Sequence, residues 1–278
     1  MEIRYLGTAA AEGIPCAFCN CDVCVEARLK KGKNLRARTQ VVIDNELMVD
    51  FSADSYSNSV KYNVDLSAIK YLLITHTHSD HYVPMYFNMR GAYFAHKLKE
   101  QDVYICGNKD VERKFWLFHQ DEIHPDIVKY IHFIEFKAFE RVKLGDYFIT
   151  PLKADHAKKE DAFVYIIEKG GKTFLYGNDT GILPQEDIDY IKEKGVKFDA
   201  LSLDCTHGIE TETWGNHMSM KDDKILFDAL LDFGAVNNKT KVYVTHFSHN
   251  HVKNHNLMKK LAKKYGFVVT YDGLKIKV

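Results

Sequence analysis

Several short apolar runs in this chain end in histidine or aspartate. The clearest covers residues 71–74 and leads into the sequence His-x-His-x-Asp-His at 76–81. Apolar runs of this length bounded by polar residues are typical of buried β-strands, so this segment is predicted to be a strand followed by a polar loop. The same pattern recurs at 147–152 before His156, at 174–177 before Asp179 and at 241–245 before His246.

Helical patterns alternate with these strands along the whole length. Apolar residues spaced as on one helix face predict helices at 108–120, 219–233 and 257–265. The largely apolar stretch 83–98, with a proline near its start, predicts another helix that is mostly buried. Asp44-Asn45 predicts a tight turn between two strands within 41–50. With no linker or tandem repeat in view, the pattern predicts an α/β fold in a single domain over 1–278, with a cysteine-rich loop at about 16–24.

Composition and charge narrow the class of protein. The 278 residues are 46% hydrophobic, enough for a sizeable core. Lys+Arg and Asp+Glu are equal at 38 each, so no overall basic field would attract a long nucleic acid, and a nucleic-acid partner is disfavoured. Residues 1–7 lack the apolar centre of a signal peptide and no later run reaches transmembrane length, which predicts a cytoplasmic protein without a membrane partner.

The loop at 76–81 places four metal-binding side chains within six residues. Because His76 and His78 are one residue apart, an extended chain presents both imidazoles on the same side, where they can hold one cation. Asp80 and His81 follow where the chain must turn, and they suit a second cation close to the first. Two cations about 3.5–4 Å apart are a common device of hydrolytic enzymes. A histidine-rich surface loop is the alternative.

Four cysteines crowd into the segment from Cys16 to Cys24. The spacing Cys-x-Cys-x2-Cys of Cys19, Cys21 and Cys24 can place three thiolates around a tetrahedral zinc ion, which needs one further ligand. In a reducing compartment such a cluster favours metal over disulfides. The alternative is a set of small buried apolar side chains.

The hexapeptide His-Thr-His-Ser-Asp-His at 76–81 resembles the signature of the metallo-β-lactamase superfamily. The resemblance covers nearly the whole chain and implies an α/β fold, the four-layered αββα sandwich, with metal ions at one edge. The cysteine cluster behind Gly-Thr-x-Ala-x-x-Gly-x-Pro at 7–15 is similar to the PhnP-type cyclic-phosphate phosphodiesterases. The resemblance implies one metal ion on His76, His78 and His156, another on Asp80, His81 and His246, and Asp179 as a bridge between them.

The same resemblance implies further roles. A histidine three residues after the last catalytic ligand completes the zinc site in PhnP-type enzymes, and His249 has this spacing, although Cys16 remains a competitor for the position. Asn216-His217 is similar to a segment whose histidine protonates the leaving group, so His217 is expected to be a general acid and, with Asp80, a catalytic residue. The alternative is that His217 only fixes its loop. A carboxylate at 179 argues against a true β-lactamase, in which cysteine is typical there.

The predicted function is hydrolysis of a small phosphodiester of the cyclic-nucleotide or ribose type by a hydroxide that bridges two divalent metal ions. Imidazole and carboxylate ligands accept zinc, manganese or iron alike, whereas the cysteines favour one structural zinc. Alternatives on the same fold are hydrolysis of a thioester, lactone or lactam, or processing of transfer-RNA 3′ ends. The non-enzymatic alternative is a metal-binding or sensing module. The natural substrate, the role of His207 and the oligomeric state stay open, although the resemblance implies a homodimer for many members.

Overall fold

The structure is a computed structural model that describes residues 1–120, 122–210 and 215–278. No helix in these three ranges combines the length and the apolar character needed to cross a membrane. The strands are β1 (Glu2–Gly7), β2 (Gln40–Ile43), β3 (Leu47–Val49), β4 (Tyr71–Leu73), β5 (Val103–Gly107), β6 (Ile131–Glu135), β7 (Val142–Leu144), β8 (Tyr147–Lys153), β9 (Phe163–Lys169), β10 (Lys172–Gly177), β11 (Ala200–Asp204), β12 (Lys241–Thr245), β13 (Val268–Val269) and β14 (Lys275–Lys277).

The helices lie between the strands and supply the outer layers. The α-helices are α1 (Asp22–Lys30), α2 (Ser55–Tyr62), α3 (Lys109–His119), α4 (Pro125–Val128), α5 (Gln185–Glu193), α6 (Met220–Asp232) and α7 (His255–Ala262). Short 3-10 helices lie at Gly32–Asn34, Leu66–Ala68, Pro84–Met89 and Lys263–Tyr265.

The strands form two seven-stranded sheets with the same pattern of directions. The first has the order β14-β1-β2-β3-β4-β5-β6, and the second β7-β8-β9-β10-β11-β12-β13. Within each sheet the first three pairs in this order are antiparallel and the last three are parallel. The parallel halves place the carboxyl ends of neighbouring strands at one edge, where loops can bring side chains together.

Both faces of each sheet are buried, which gives four layers. Leu73 on β4 packs between the sheets with residues such as Tyr147 and Phe174 of the second sheet. Leu72, its neighbour, points to the opposite face, as the alternation of a strand requires, and packs in the cluster that includes Phe115 of α3. A third cluster joins the outer face of the second sheet to α6 and α7. The expected αββα sandwich is confirmed.

Most elements that the apolar pattern predicts are present. The strands at 41–43 and 47–49 are joined through Asp44 and Asn45, whose φ angles of 51° and 56° are those of a primed hairpin turn. Ser219 forms a capping box with Asp222 at the start of α6. Gly7 lies so close to the next segment that an added Cβ would stand 1.8 Å from the carbonyl oxygen of Arg38, so only glycine fits there.

The predicted buried helix over 83–98 is wrong. Only the 3-10 helix Pro84–Met89 forms, and Gly91, Ala92 and Lys97 have φ angles of 133°, 49° and 55°. Positive φ angles interrupt any right-handed helix, so the chain turns repeatedly after Met89. The aromatic side chains after Met89, such as the 83% exposed Tyr93, therefore point to solvent instead of into a core.

Candidate metal centre

The segments with the predicted ligands meet at one edge of the two sheets. β8, β10 and β12 run in the same direction through the second sheet, and His156, Asp179 and His246 follow their ends. The loop at 76–81 follows the end of β4 in the facing sheet. The strand order thus brings together side chains that are up to 170 positions apart in the sequence (246 − 76 = 170).

The first group has the composition expected from the sequence. The ligand atoms of His76, His78, His156 and Asp179 all lie within 4.8 Å of one another. His76 Nε2 is 2.9 Å from His78 Nδ1, and His156 Nε2 is 3.3 Å from the same atom. Nitrogen and carboxylate atoms at these separations can converge on a single cation at ordinary ligand distances of about 2.0–2.2 Å.

The second group shares one carboxylate with the first. The ligand atoms of Asp80, His81, Asp179 and His246 also lie within 4.8 Å of one another. Asp179 Oδ2 is 3.0 Å from His81 Nε2 and 3.7 Å from His246 Nε2. The same oxygen is 3.4 Å from His76 Nε2 in the first group. Both groups therefore face the same carboxylate oxygen.

Unsatisfied buried atoms show that these residues fit a cation. His81 Nε2, His246 Nε2 and Asp179 Oδ1 are buried and make no hydrogen bond to the described residues. An orphaned buried polar atom costs free energy unless an ion or water completes it. Burial raises the pKa of Asp179, but the imidazoles of His246 and His81 outweigh this effect and hold the pKa well below its ordinary value. The carboxylate is thus ready to bind a positive charge.

The backbone is strained at two residues of these groups. Asp179 has a φ of 57° and His246 a φ of 60°, in the left-handed region that residues other than glycine rarely adopt. Such strain is retained where the surrounding structure requires it, and it concentrates at functional sites. Both side chains belong to the second group.

Asp50 orients His81 from behind, a role that the sequence did not reveal. His81 Nδ1 donates to Asp50 Oδ2 at 2.8 Å, while the backbone N–H and hydroxyl of Thr75 donate to Asp50 Oδ1 at 2.9 Å each. A carboxylate on the far nitrogen fixes the ring and makes the near nitrogen a better ligand. The available signal was an aspartate directly after the apolar run 47–49.

Asp204, at the end of β11, contacts two histidines, and its carboxylate lies within 4.8 Å of the ligand atoms of Asp179, His217 and His246. Its Oδ2 lies 3.2 Å from His246 Nδ1 and 3.3 Å from His217 Nδ1. His217 Nδ1 is also 3.2 Å from Asp179 Oδ1, so the predicted general acid borders the metal groups. Burial lowers the pKa of His217, but the hydrogen bond and charge of Asp204 outweigh burial and raise the pKa to about 9.

His207 lies outside the two groups. Its buried ring is centred 5.7 Å from that of His217 and 5.1 Å from that of His251. His207 is thus a neighbour of His217.

A third group brings the cysteine loop to the segment after β12. The ligand atoms of Cys19, Cys21, Cys24 and His249 lie within 4.8 Å of one another, and His249 Nδ1 is 3.4 Å from Cys21 Sγ. Among the described residues, this group contains His249 and not the thiol of Cys16, whose backbone N–H instead donates to Cys24 Sγ. Three thiols and an imidazole form the ligand set of a closed structural zinc site.

The chain belongs to the β-lactamase superfamily, because the family described as Beta-lactamase superfamily domain matches residues 47–247. The resemblance inferred from the loop at 76–81 is therefore confirmed. Endoribonuclease ysh-1 of Neurospora crassa is 31% identical in an alignment over 158 residues that covers 52% of this chain and 18% of that protein. The match thus spans less than a fifth of that relative.

Solved structures agree with this assignment at the level of the fold. A diphosphatase from the PhnP family has a TM-score of 0.75 and 18% identity over 100% of this chain and 97% of its own. Zn²⁺-bound PqqB from Methylobacterium extorquens has a TM-score of 0.73 and 18% identity over 100% of both chains. These two likenesses support the fold alone, and the described residues of this chain supply the candidate metal-binding groups given above.

Proposed function

We propose that the protein hydrolyses a small phosphodiester of the cyclic-nucleotide or ribose type, with divalent zinc, manganese or iron ions in the two groups around Asp179. The observation that carries the proposal is the arrangement about this carboxylate. Its Oδ2 is shared by both groups, and its Oδ1 lies 3.2 Å from His217. A site for two cations with a proton donor beside it suits a reaction in which an alkoxide leaves phosphorus.

Each residue of the site would have its own role in this reaction. Two divalent ions in these groups would lower the pKa of a water molecule to about 7 and offset negative charge on phosphoryl oxygens. His217 would donate a proton to the leaving oxygen, and Asp204 would hold its ring toward that oxygen. Asp50 would keep His81 turned toward the centre.

The cysteine group extends the proposal to one structural zinc ion. His249 stands three residues after His246, and Phe247 between them donates its N–H to Thr8 O and accepts from Ala10 N, both at 3.0 Å. Zinc on the cysteines and His249 would fasten the N-terminal loop to this same segment. The position of His246 in the metal centre would then depend on the zinc site.

RNA is the second candidate substrate. The similarity to endoribonuclease ysh-1 favours it, since that match covers 52% of this chain. Against it, positive and negative residues balance at 38 each, so the chain has no overall charge to attract a polyanion. The same phosphorus chemistry would serve either substrate, and only turnover distinguishes them.

Hydrolysis of a substrate panel tests the proposal. The metal-reconstituted protein is assayed with a ribose cyclic phosphodiester, an aryl phosphodiester, a short single-stranded RNA, a thioester and a lactam. Asp179→Ala removes the shared carboxylate, and Asp189→Ala on the exposed side of α5 is the matched control. We expect the highest turnover with the cyclic phosphodiester and its loss only in Asp179→Ala. Turnover confined to the thioester or lactam would contradict the proposal, and preference for the RNA would favour the second candidate.

A further inference from the structure

Glu160 connects the two loops that carry the three histidines of the first group. It lies in the loop after His156, and its carboxylate faces Thr77, the residue between His76 and His78. The backbone N–H of Thr77 donates to both carboxylate oxygens at 3.1 and 3.0 Å, and its hydroxyl donates to Oε1 at 3.0 Å. The one residue that separates two ligands is thus held by a side chain from the loop of the third.

Further contacts hold the same two loops side by side. Asn108, the N-cap of α3, donates its side-chain N–H₂ to Glu160 Oε2 at 3.0 Å and to Asp161 O at 2.7 Å. Lys114 on α3 donates to the carbonyl oxygen of Thr77. Phe163, at the start of β9, donates its N–H to Thr75 O at 2.9 Å. Two residues beyond this backbone hydrogen bond, the acceptor for the N–H of Thr77 is the Glu160 carboxylate.

We propose that Glu160 is a positioning residue for the first metal group, because its carboxylate sets the separation between the pair His76 and His78 and the third ligand, His156. The proposal rests on the metal-binding role proposed above for these histidines. Ligand atoms must be held to within about 0.5 Å for full affinity, and this loop would otherwise be free to move His156 relative to His78. The distance that Glu160 would hold is the 3.3 Å between His156 Nε2 and His78 Nδ1.

The chemistry requires a carboxylate at this position and not merely a side chain of the same size. Three donors converge on Glu160: the N–H and the hydroxyl of Thr77, and the amide of Asn108. Hydrogen bonds to an ionised acceptor are roughly twice as strong as those between neutral groups. In Glu160→Gln, an amide N–H₂ would face these donors and leave at least one of them unpaired.

The test is the zinc affinity of Glu160→Gln, measured by competition with a chromophoric chelator. Glu168→Gln is the matched control, because it makes the same change at a carboxylate outside the metal groups. Glu168 lies on β9 and accepts a hydrogen bond from Arg141. We expect the dissociation constant of one zinc ion to rise by about 10–100-fold in Glu160→Gln and to stay unchanged in the control. The melting temperature of the metal-free protein should change little, and excess zinc should restore kcat.

Thr77→Val is the second variant, which keeps the shape of the side chain and removes only the hydroxyl. We expect a smaller loss of zinc affinity than in Glu160→Gln, and no additional loss when both changes are combined, because they break the same contact. Zinc affinity equal to wild type in both single variants would overturn the proposal, as would a lowered metal-free melting temperature with unchanged affinity. If the wild-type protein binds zinc only through its cysteines, the proposed function itself fails.

Discussion

Asp187 on α5 is a buried carboxyl group whose charge is poorly compensated. Its Oδ1 accepts the backbone N–H of Lys153 at 3.1 Å, while its Oδ2 makes no hydrogen bond to the described residues. Burial raises the pKa of Asp187, the N–H of Lys153 lowers it, and the charge of Glu186 raises it again, with a net value of about 7. The uncharged form of Asp187 is therefore favoured in the folded protein at mildly acidic pH.

The sign of the pH dependence follows from this shift. The pKa of an aspartate in an unfolded chain is about 3.9, so between pH 4 and 7 the folded protein binds more protons than the unfolded chain. The contribution of Asp187 to stability is then largest at low pH and is lost as the pH rises through about 7. At about 1.4 kcal/mol per pH unit, the loss between pH 5 and 7 is about 2–3 kcal/mol.

Asp187→Asn removes the titration and keeps the acceptor for Lys153. Melting temperatures of wild type and variant are compared at pH 5 and at pH 8 with metal saturating. The melting temperature of the variant should rise by about 4–12 °C relative to that of the wild type between the two pH values, because about 1 kcal/mol corresponds to 2–4 °C in a protein near this size. Asp189→Asn, on the exposed side of the same helix, should follow the wild type. A temperature gap between wild type and Asp187→Asn that does not change with pH would refute the reasoning.

Three further changes have defined outcomes. His217→Ala should lower kcat about 10²–10⁴-fold for a diester with an alkyl leaving group and far less for a nitrophenyl ester, whose leaving group needs no proton. Equal losses would argue against proton donation. Ser219→Ala removes the capping box of α6 and should cost about 1 kcal/mol, measured by thermal melting against Ser57→Ala as an exposed control. The triple variant Cys19→Ser, Cys21→Ser and Cys24→Ser should have a lower zinc content and a lower melting temperature. Unchanged values would exclude the structural zinc.

The residues of the candidate metal centre could be predicted because they lie in polar segments that follow apolar runs. The sequence shows that His156, Asp179 and His246 each come after a predicted strand. Strands that run in the same direction bring such ends to one edge of the sheet. The partition into two groups came from the family resemblance. The φ of 57° at Asp179 is a local conformation that no spacing rule contains.

The supporting residues could not be predicted, because their partners are distant in sequence. Asp50 and His81 are 31 positions apart, and Glu160 and Thr77 are 83 apart. A single acidic residue in a loop has many ordinary explanations until its partner is known. The prediction of a helix over 83–98 was wrong for a different reason. The apolar composition indicated a buried helix, but the positive φ angles at Gly91 and Ala92 end the helix, and the aromatic residues that follow are exposed.

The most direct test of the account is the metal content of the reconstituted protein, measured by mass spectrometry together with phosphodiester turnover. Asp179 is common to both histidine groups, and the cysteine group is separate from it. The account predicts that Asp179→Ala loses turnover and the metal of both histidine groups, while it keeps the zinc bound by the cysteines. Asp189→Ala should keep its turnover and the metal of all three groups. Full metal content and turnover in Asp179→Ala would contradict a centre built on a shared carboxylate.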